Sequence, residues 1–373
     1  LNSVTVDWHG RKVEAARPDR IAVLEPELSE RSVRRTEQAA AAVQRAGDRS
    51  AGVFEGAARL LLRAEGLASS AIEGLRAPAG RVAVAQATDP DDDMEVDRTA
   101  AWVADNLAVV SDALVAPGPL DQTRLFAWHE RLMANSPTIA DRHVGAYRDV
   151  LGWVGGANPL VATHVAVPPE HIEALMDDLF AFVGREDLDA VTQAAIAHAQ
   201  FETIHPFADG NGRLGRVLIG RILSHRLAVA VPPPVSLAFA RDVGGYGSGL
   251  TLYRQGLLDH WVGWFADCVE AAAETSTNLL TMVADLQAEW RLATIDLRAD
   301  SAARRLVEVL PAHPVVNAHI VSGLLGVSEQ AGRTGLEDLA GRGILVELPD
   351  VPSGRGRPRR WWEAQSLLAL LAR

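Results

Sequence analysis

The stretch His205-Pro-Phe-Ala-Asp-Gly-Asn-Gly-Arg-Leu-Gly-Arg216 concentrates groups that can handle phosphate. A strongly helical segment runs up to Ile204, and another starts near Gly212. Between them, Gly210, Asn211 and Gly212 are small or turn-forming. They let backbone N–H groups converge on one cavity beside a helix N-terminus. Such a helix end carries roughly +0.5 of an elementary charge and attracts anions. Arg213 and Arg216 stand three residues apart, on one face of that first turn. Two cations there oppose the helix dipole, so an anion should compensate them, and a polyphosphate would. Asp209 supplies one carboxylate, suited to a magnesium ion that also takes phosphate oxygens. His205 can accept a proton near neutral pH and so activate a hydroxyl. Base, metal carboxylate, anion cradle and paired arginines describe a phosphate-transfer site.

Other readings of these residues are weaker. Gly210-x-Gly212-x-x-Gly215 matches a dinucleotide fingerprint, but that fingerprint needs a preceding strand and a helix precedes it here. His198 lies two helical turns before His205, too far to share one metal ion, so it reads as an ordinary helix residue. Cys268, amid Trp264, Phe265 and Val269, reads as a small core side chain.

The elements that must position this segment read as mostly helical. Ser29 to Arg49 and Gly56 to Ala71 are rich in good helix formers. Ala77 to Asp93, with Pro78, Gly80, Pro90 and an acidic run, reads as a connection. Asp97 to Leu114 has apolar residues at helical spacing, stopped by Pro117-Gly118-Pro119. Asp121 to Met133 is a short amphipathic helix. Val150 to Val167 holds two β-prone runs around a Gly/Asn/Pro segment and predicts a hairpin. Pro168-Pro169 opens a helix over His171 to Val183. Asp187 or Asp189 caps the helix that ends at Ile204. The next helix runs to Leu227 and is closed by Val231-Pro-Pro-Pro234. Tyr246 to Thr277 reads as helical, and Asn278 to Arg298 extends it as a connector. In the tail, Ala302 to Leu310, Ala318 to Leu325 and Glu329 to Ala340 read as helices. Ile344 to Leu348 and Arg359 to Glu363 read as two strands, so the tail resembles a winged helix.

Composition sets the frame. The chain has 373 residues, 48% hydrophobic and 23% charged, which is ordinary for a globular protein and excludes a disordered one. No apolar run approaches the ~20 residues that span a bilayer, so no membrane partner is expected. One cysteine excludes an internal disulfide. Leu1 to Lys12 lacks a basic-then-apolar signal pattern, and the expected location is cytoplasmic. Lysine is nearly absent while Arg and Ala abound, as in a GC-rich bacterial genome. The net charge of −12 argues against whole-surface nucleic-acid binding. From Asp296 onward, ten Arg against nine acidic residues give +1, which leaves −13 on the remainder.

At every specified position the segment matches HxFx[D/E]GNGRxxR, and here the chain resembles the Fic family. Flanking stretches resemble it too: Gly145-Ala-Tyr-Arg148, the hairpin Val150 to Val167, Val167-Pro-Pro169 with Leu175-Met-x-Asp-Leu179, and Trp261-Val-Gly-Trp-Phe265. The similarity covers roughly residues 25 to 275. It implies a mostly α fold, a Fic helical core with a β-hairpin flap, plus the C-terminal winged-helix domain. The implied division is 1–95 for an N-terminal helical region, with an inhibitory helix near 60–74. Residues 96–277 form the catalytic core, 278–300 a helical linker and 301–373 the winged helix.

The resemblance implies a protein adenylyltransferase, moving AMP from ATP to a Tyr, Ser or Thr hydroxyl of a target protein or of itself. His205 would be the catalytic base. Asp209 would hold Mg²⁺, with Gly210, Asn211 and Gly212 forming the anion hole. Arg213 and Arg216 would grip phosphates, with Leu214 and Gly215 completing the ATP-binding segment. Val154, Gly155, Gly156 and Ala157 of the flap would sit near the nucleotide, and Tyr246 by the adenine. Around Tyr246 the chain departs from the family pattern: it is rich in glycine, and Tyr253 or Arg254 stands near an expected Asn. The family's phosphotransferase branch departs from the GNGR core, usually with Lys after its Asn, so Gly212 favours AMP transfer. Relatives of this layout often dimerise through the core.

Ser69-Ser-Ala-Ile-Glu-Gly74 resembles the family's inhibitory motif, [S/T]xxxE[G/N]. It implies that Ser69, Glu73 and Gly74 form a brake, with a bidentate Glu73–Arg216 pair withdrawing the arginine from the γ-phosphate. In some relatives the same Glu serves AMP removal, so a deAMPylase is one alternative. A winged-helix DNA-binding regulator with a Fic core is the other. The basic run Arg355-Gly-Arg-Pro-Arg-Arg360 is either a DNA contact or a solvated wing. A salt-dependent gel shift on random duplex DNA separates these classes.

Overall fold

Side-chain caps start seven of the helices. Asp97, Asp121, Asp189, Asp242, Ser301, Asn317 and Ser328 each accept a hydrogen bond from a first-turn N–H of the helix that follows. The computed structural model describes residues 2–51, 55–88, 97–134, 136, 138–349 and 360–372. Helices dominate them, with three small antiparallel sheets.

The chain opens on a hairpin of β1 (Asn2–Trp8) and β2 (Arg11–Arg17), where a helical region was expected. Ser3 to Asp7 alternates in polarity. His9 and Gly10 both sit at positive φ, 50° and 77°, which suits the two-residue turn of a twisted hairpin. Helices α1 (Glu30–Ala51) and α2 (Glu55–Ile72) follow. A further correction concerns the expected connection after residue 77, which contains α3 (Ala79–Ala87). Pro78 precedes that helix instead of breaking it, and burial of Val82, Ala83 and Val84 holds it in place. The acidic run that follows lies outside the described residues.

The next helices are α4 (Arg98–Val115) and α5 (Gln122–Met133). The flap strands β3 (Trp153–Val154) and β4 (His164–Val165) then pair antiparallel. Trp8 meets Trp153 edge-on at 6.4 Å, so the N-terminal hairpin stands beside the flap. After them come α6 (Ile172–Val183), α7 (Ala190–Ile204) and α8 (Asn211–Leu227).

Helix α7 is the axis of the molecule, and every one of its residues is buried. Helices α1, α6 and α8 surround it, together with two described next, α10 and α11. Such a helix shows no amphipathic stripe, so its polar side chains need internal partners. Gln193 donates to the carbonyls of Phe182, Val183 and Arg185, and Gln200 to that of Asp19.

Helix α8 stops at Ala228, in the left-handed region at φ 53°, before the prolines expected to close it. The prolines instead lead into α9 (Val235–Arg241). The helix expected over 246–277 is two: α10 (Val243–Arg254), then α11 (Leu258–Ala293) after Gly256 turns the chain at φ 83°. Helix α11 runs on through the expected connector.

The tail comprises α12 (Ala302–Val309), β5 (Val315–Val316), α13 (Ala318–Leu325), α14 (Glu329–Gly341), β6 (Val346–Leu348) and β7 (Trp361–Glu363). The short α15 (Gln365–Ala369) ends it. The three strands pair antiparallel in the order β5-β7-β6. Strand β5 and α15 were not expected, being too short to show a period. Arg360 pairs with Glu347 and Glu337. The rest of the basic run lies outside the described residues.

Among the described residues the apolar side chains form two large cores and two small clusters. The larger surrounds α7 and α8. The second joins Leu60 and Leu61 of α2, Leu279, Leu280 and Val283 of α11, and Leu306 and Leu310 at the start of the tail unit. Helix α2 therefore touches the tail near its start and the catalytic segment at its end.

Candidate active site

Helix α7 ends because His205 adopts φ 52°, ψ 62°, a left-handed conformation that a non-glycine residue takes only under constraint. Arg148 supplies the constraint. Its guanidinium donates to the carbonyls of His205 at 2.8 Å, Ile204 at 3.2 Å, Val150 at 2.7 Å and Val167 at 2.5 Å. No carboxylate partners it, and burial pushes its pKa down to about 10. Asn211 closes the loop by exchanging two hydrogen bonds of 2.8 Å with the backbone of Phe207. Phe207 stacks on His129 at 4.0 Å. His129 receives the Gly145 N–H on Nδ1, so its proton sits on Nε2, bonded to the Asp209 carbonyl. Burial pushes that imidazole down to about 4 and keeps it neutral.

Helix α8 then starts at Gly210, at φ 81° and with no side-chain cap, which leaves its N-terminal donors to other partners. Asp209 accepts from Thr138 Oγ1 at 2.5 Å through Oδ2, and its Oδ1 lies 3.5 Å from Arg213 Nη2. Arg213 lies over the Trp102 ring at 4.9 Å. It is 1% exposed, and its Nε and Nη1 have no partner. Burial, ahead of every other influence, lowers its pKa. Two expected phosphate residues stand elsewhere. Leu214 is wholly inside the larger core. A Cβ on Gly215 would collide with Glu202 Oε1, so this glycine lets α7 and α8 approach.

Arg216 is 2% exposed and meets the end of α2. Its Nε donates to Ser69 Oγ at 2.9 Å, and its Nη2 to the Ser69 carbonyl at 2.9 Å and Glu73 Oε1 at 2.8 Å. The carboxylate contact thus uses one oxygen, where a bidentate pair was expected, because the Ser69 carbonyl shares Nη2. Nη1 is buried without a partner. Burial works against the charge of Arg216, but Glu73, Tyr246 and Glu202 outweigh it and raise its pKa. Helix α2 is followed by a turn in which Gly74 adopts φ 79°. A Cβ on Gly212 would collide with Glu73 Oε1, so the Glu73 carboxylate occupies the first turn of α8, where a helix attracts an anion.

A cavity of about 730 Å³ opens beside this segment, lined by Glu73, Val154, Thr163, Glu202, His205, Gly212, Tyr246 and Arg254 among others. Of the four flap residues singled out, Val154 lines it. Gly155 and Gly156, at φ 67° and 107°, form the turn that follows. Ala157 lies beyond them and is not among the residues lining the cavity. Tyr246 lines the cavity too, its hydroxyl 2.8 Å from Nε2 of the buried His198. Sequence reasoning missed Glu202 and Thr163 on the cavity wall, and Thr138 on Asp209, while Arg254, noted near an expected Asn, lines the cavity. The usable signal was spacing: Glu202 lies one helical turn before His205. Cys268 is half-buried, and burial pushes its thiol up to about 12, as suits an inert packing residue.

A buried helix thus ends in a constrained histidine, and the next starts at an uncapped, arginine-bearing N-terminus. Residues 119–223 match the Fic/DOC family, and the chain carries a Fic domain. Similar curated proteins include the protein adenylyltransferase Fic of Aedes aegypti, 29% identical over 142 residues, which are 38% of this chain and 26% of that protein. Protein adenylyltransferase fic-1 of Caenorhabditis elegans is 31% identical over 149 residues, 39% of this chain and 26% of that protein. The chain spans about a quarter of the length of these relatives. The fold resembles the crystal structure of a Fic family protein from Desulfovibrio desulfuricans G20. The TM-score is 0.57 at 20% identity, covering 91% of this chain and 98% of that one. Among the described residues, no helix is long and apolar enough to cross a membrane.

Proposed function

We propose that this cavity is the active site of a protein adenylyltransferase, in which His205 is the base and Glu73 the brake. One observation carries the reading: His205 and Gly212 at the α8 N-terminus line one cavity with Glu73, Glu73 holds Arg216, and Asp209 stands 3.5 Å from Arg213 on the same segment. His205 takes the proton of a Tyr, Ser or Thr hydroxyl on a target protein or on the chain itself. That oxygen bonds to the α-phosphorus of ATP as the bond to pyrophosphate breaks. The unpartnered donors of Arg213 and Arg216 suit phosphate oxygens. Among the described residues no cluster of three or more His, Cys, Asp or Glu could hold a metal. Asp209, a carboxylate beside the α8 N-terminus, would hold Mg²⁺, an ion that keeps few protein ligands and takes the rest from phosphate and water. Mg²⁺ supplies neutralisation of phosphate charge. Tyr246 borders the nucleotide space, and Val154 with Thr163 the target side. Residues 96–277 form the catalytic unit, 1–95 bring the brake, and 301–373 are a winged-helix unit joined through 278–300.

The test uses ATP labelled at the α- or the γ-phosphate, with the Glu73→Gly chain and a cell lysate. Protein-bound α-label is expected, and His205→Ala should lower it by about 10²–10⁴, the usual contribution of a positioned base. Protein-bound γ-label in its place would make the chain a kinase and overturn the reading.

A further inference from the structure

We propose that Glu202 is a positioning residue for His205: it fixes the imidazole with its proton on Nδ1 and leaves Nε2 free to act as base. This rests on the reading of His205 as the base of AMP transfer.

The two side chains meet one turn apart, at the end of α7. Glu202 Oε2 lies 3.8 Å from His205 Nδ1. Both side chains are largely enclosed, at 8% and 18% exposure. His205 Nδ1 and Glu202 Oε1 are each buried with no hydrogen-bond partner, a rare and costly state for a polar atom. His205 ends α7 in the left-handed region, one helical turn after Glu202. Closing the gap by about 1 Å makes a hydrogen bond and satisfies Nδ1, and catalytic hydrogen bonds are often this long before substrate binds.

The surroundings explain why a base here needs such a partner. Burial, with His164 on β4, Arg148 before β3 and Arg254 on α10, pushes the His205 imidazole down to about 3, against a smaller raising effect of the Glu202 backbone carbonyl, which lies beyond good hydrogen-bond geometry from Nδ1. Unassisted, that ring would be a poor proton acceptor. Glu202 itself is faced by Arg216 on α8, Glu73 after α2, Arg254 on α10, and His198 and Tyr246 beside Gly215. Burial raises its carboxyl to about 7, while Arg216 and Arg254 favour the anion. As His205 takes the hydroxyl proton, the ionised carboxylate accepts Nδ1–H and offsets the imidazolium. This is the division of labour by which a buried acid orients a catalytic histidine.

The test reads the His205 tautomer by long-range ¹H–¹⁵N NMR at pH 7 and the pH dependence of kcat, in the Glu73→Gly background. With Glu202 in place, the proton is expected on Nδ1. In Glu202→Leu it should move to Nε2, with kcat down about 10²-fold and KM for ATP unchanged. In Glu202→Gln, which keeps an acceptor without the charge, the tautomer should hold. There kcat should fall about tenfold, and the acidic limb of the profile should move to lower pH. Should Glu202→Leu not fold, the Glu202→Gln profile decides alone. An unchanged tautomer in Glu202→Leu, or an unshifted acidic limb in Glu202→Gln, overturns the proposal. If no variant transfers AMP, the tautomer readout still decides, so a failure of the parent reading is told apart from a failure of this one.

Discussion

Replacing Glu73 with glycine is expected to raise the proposed AMP transfer about tenfold or more. Arg216 is held at the end of α2 by two Ser69 contacts and one carboxylate oxygen. A hydrogen bond between charged groups is worth about 1.5–3 kcal/mol, and the lower end applies because the Glu73 side chain is 39% exposed. A shift of ~1.4 kcal/mol in the competent population is a factor of ten. Two effects add to this. The carboxylate leaves the first turn of α8, where it competes with phosphate, and Arg216 keeps both Ser69 bonds, so the helix end stays ordered. Incorporation of α-labelled ATP into protein measures the effect. Equal incorporation by the intact chain and Glu73→Gly would show that the contact restrains nothing.

Arg148→Ala is expected to cost about 3 kcal/mol or more of stability, since each buried carbonyl left without a donor costs about 1–3 kcal/mol. It is also expected to remove the proposed transfer activity. One guanidinium holds four carbonyls, from the flap's two approaches and from the end of α7. Without it those oxygens face a vacant site, and the left-handed His205 loses the support for its conformation. Arg148→Lys should recover little, since an ammonium cannot present a planar fork of donors to four separate oxygens. The denaturant midpoint measures the stability change, and labelled-ATP incorporation the activity. An Arg148→Ala chain that unfolds at the same midpoint would show the network to be incidental.

How much of this was readable in the sequence depends on how local each signal was. The loop 205–210 and the turn of α8 depend on neighbours within a few residues, so their types and spacing sufficed. The pairing of Ser69 and Glu73 with Arg216 spans well over a hundred residues, and only the motif resemblance joined them. Glu202 carried one mark, its spacing a helical turn before His205. On a helix buried all round, a glutamate looks like any other until His205 and Gly215 are seen against it. The break at Gly256 was legible in kind, but helix formers on both sides hid it. The hairpin β1–β2 had an alternating strand and a His-Gly turn, set against a chain whose other long segments were helical. The burial of α3 depends on distant strands of the tail, so residues 77–87 taken alone gave a connection.

Helix α2 is fixed at two separated points. Leu60 and Leu61 are locked into the second core, and Ser69 and Glu73 into Arg216. Each added or deleted residue between them turns one end by about 100° relative to the other. Phase, more than sequence identity, is thus what residues 62–68 must preserve. A single-residue insertion there would swing the carboxylate off the arginine while every contact residue stayed intact. Length variation is therefore excluded from this stretch, even where substitutions are tolerated.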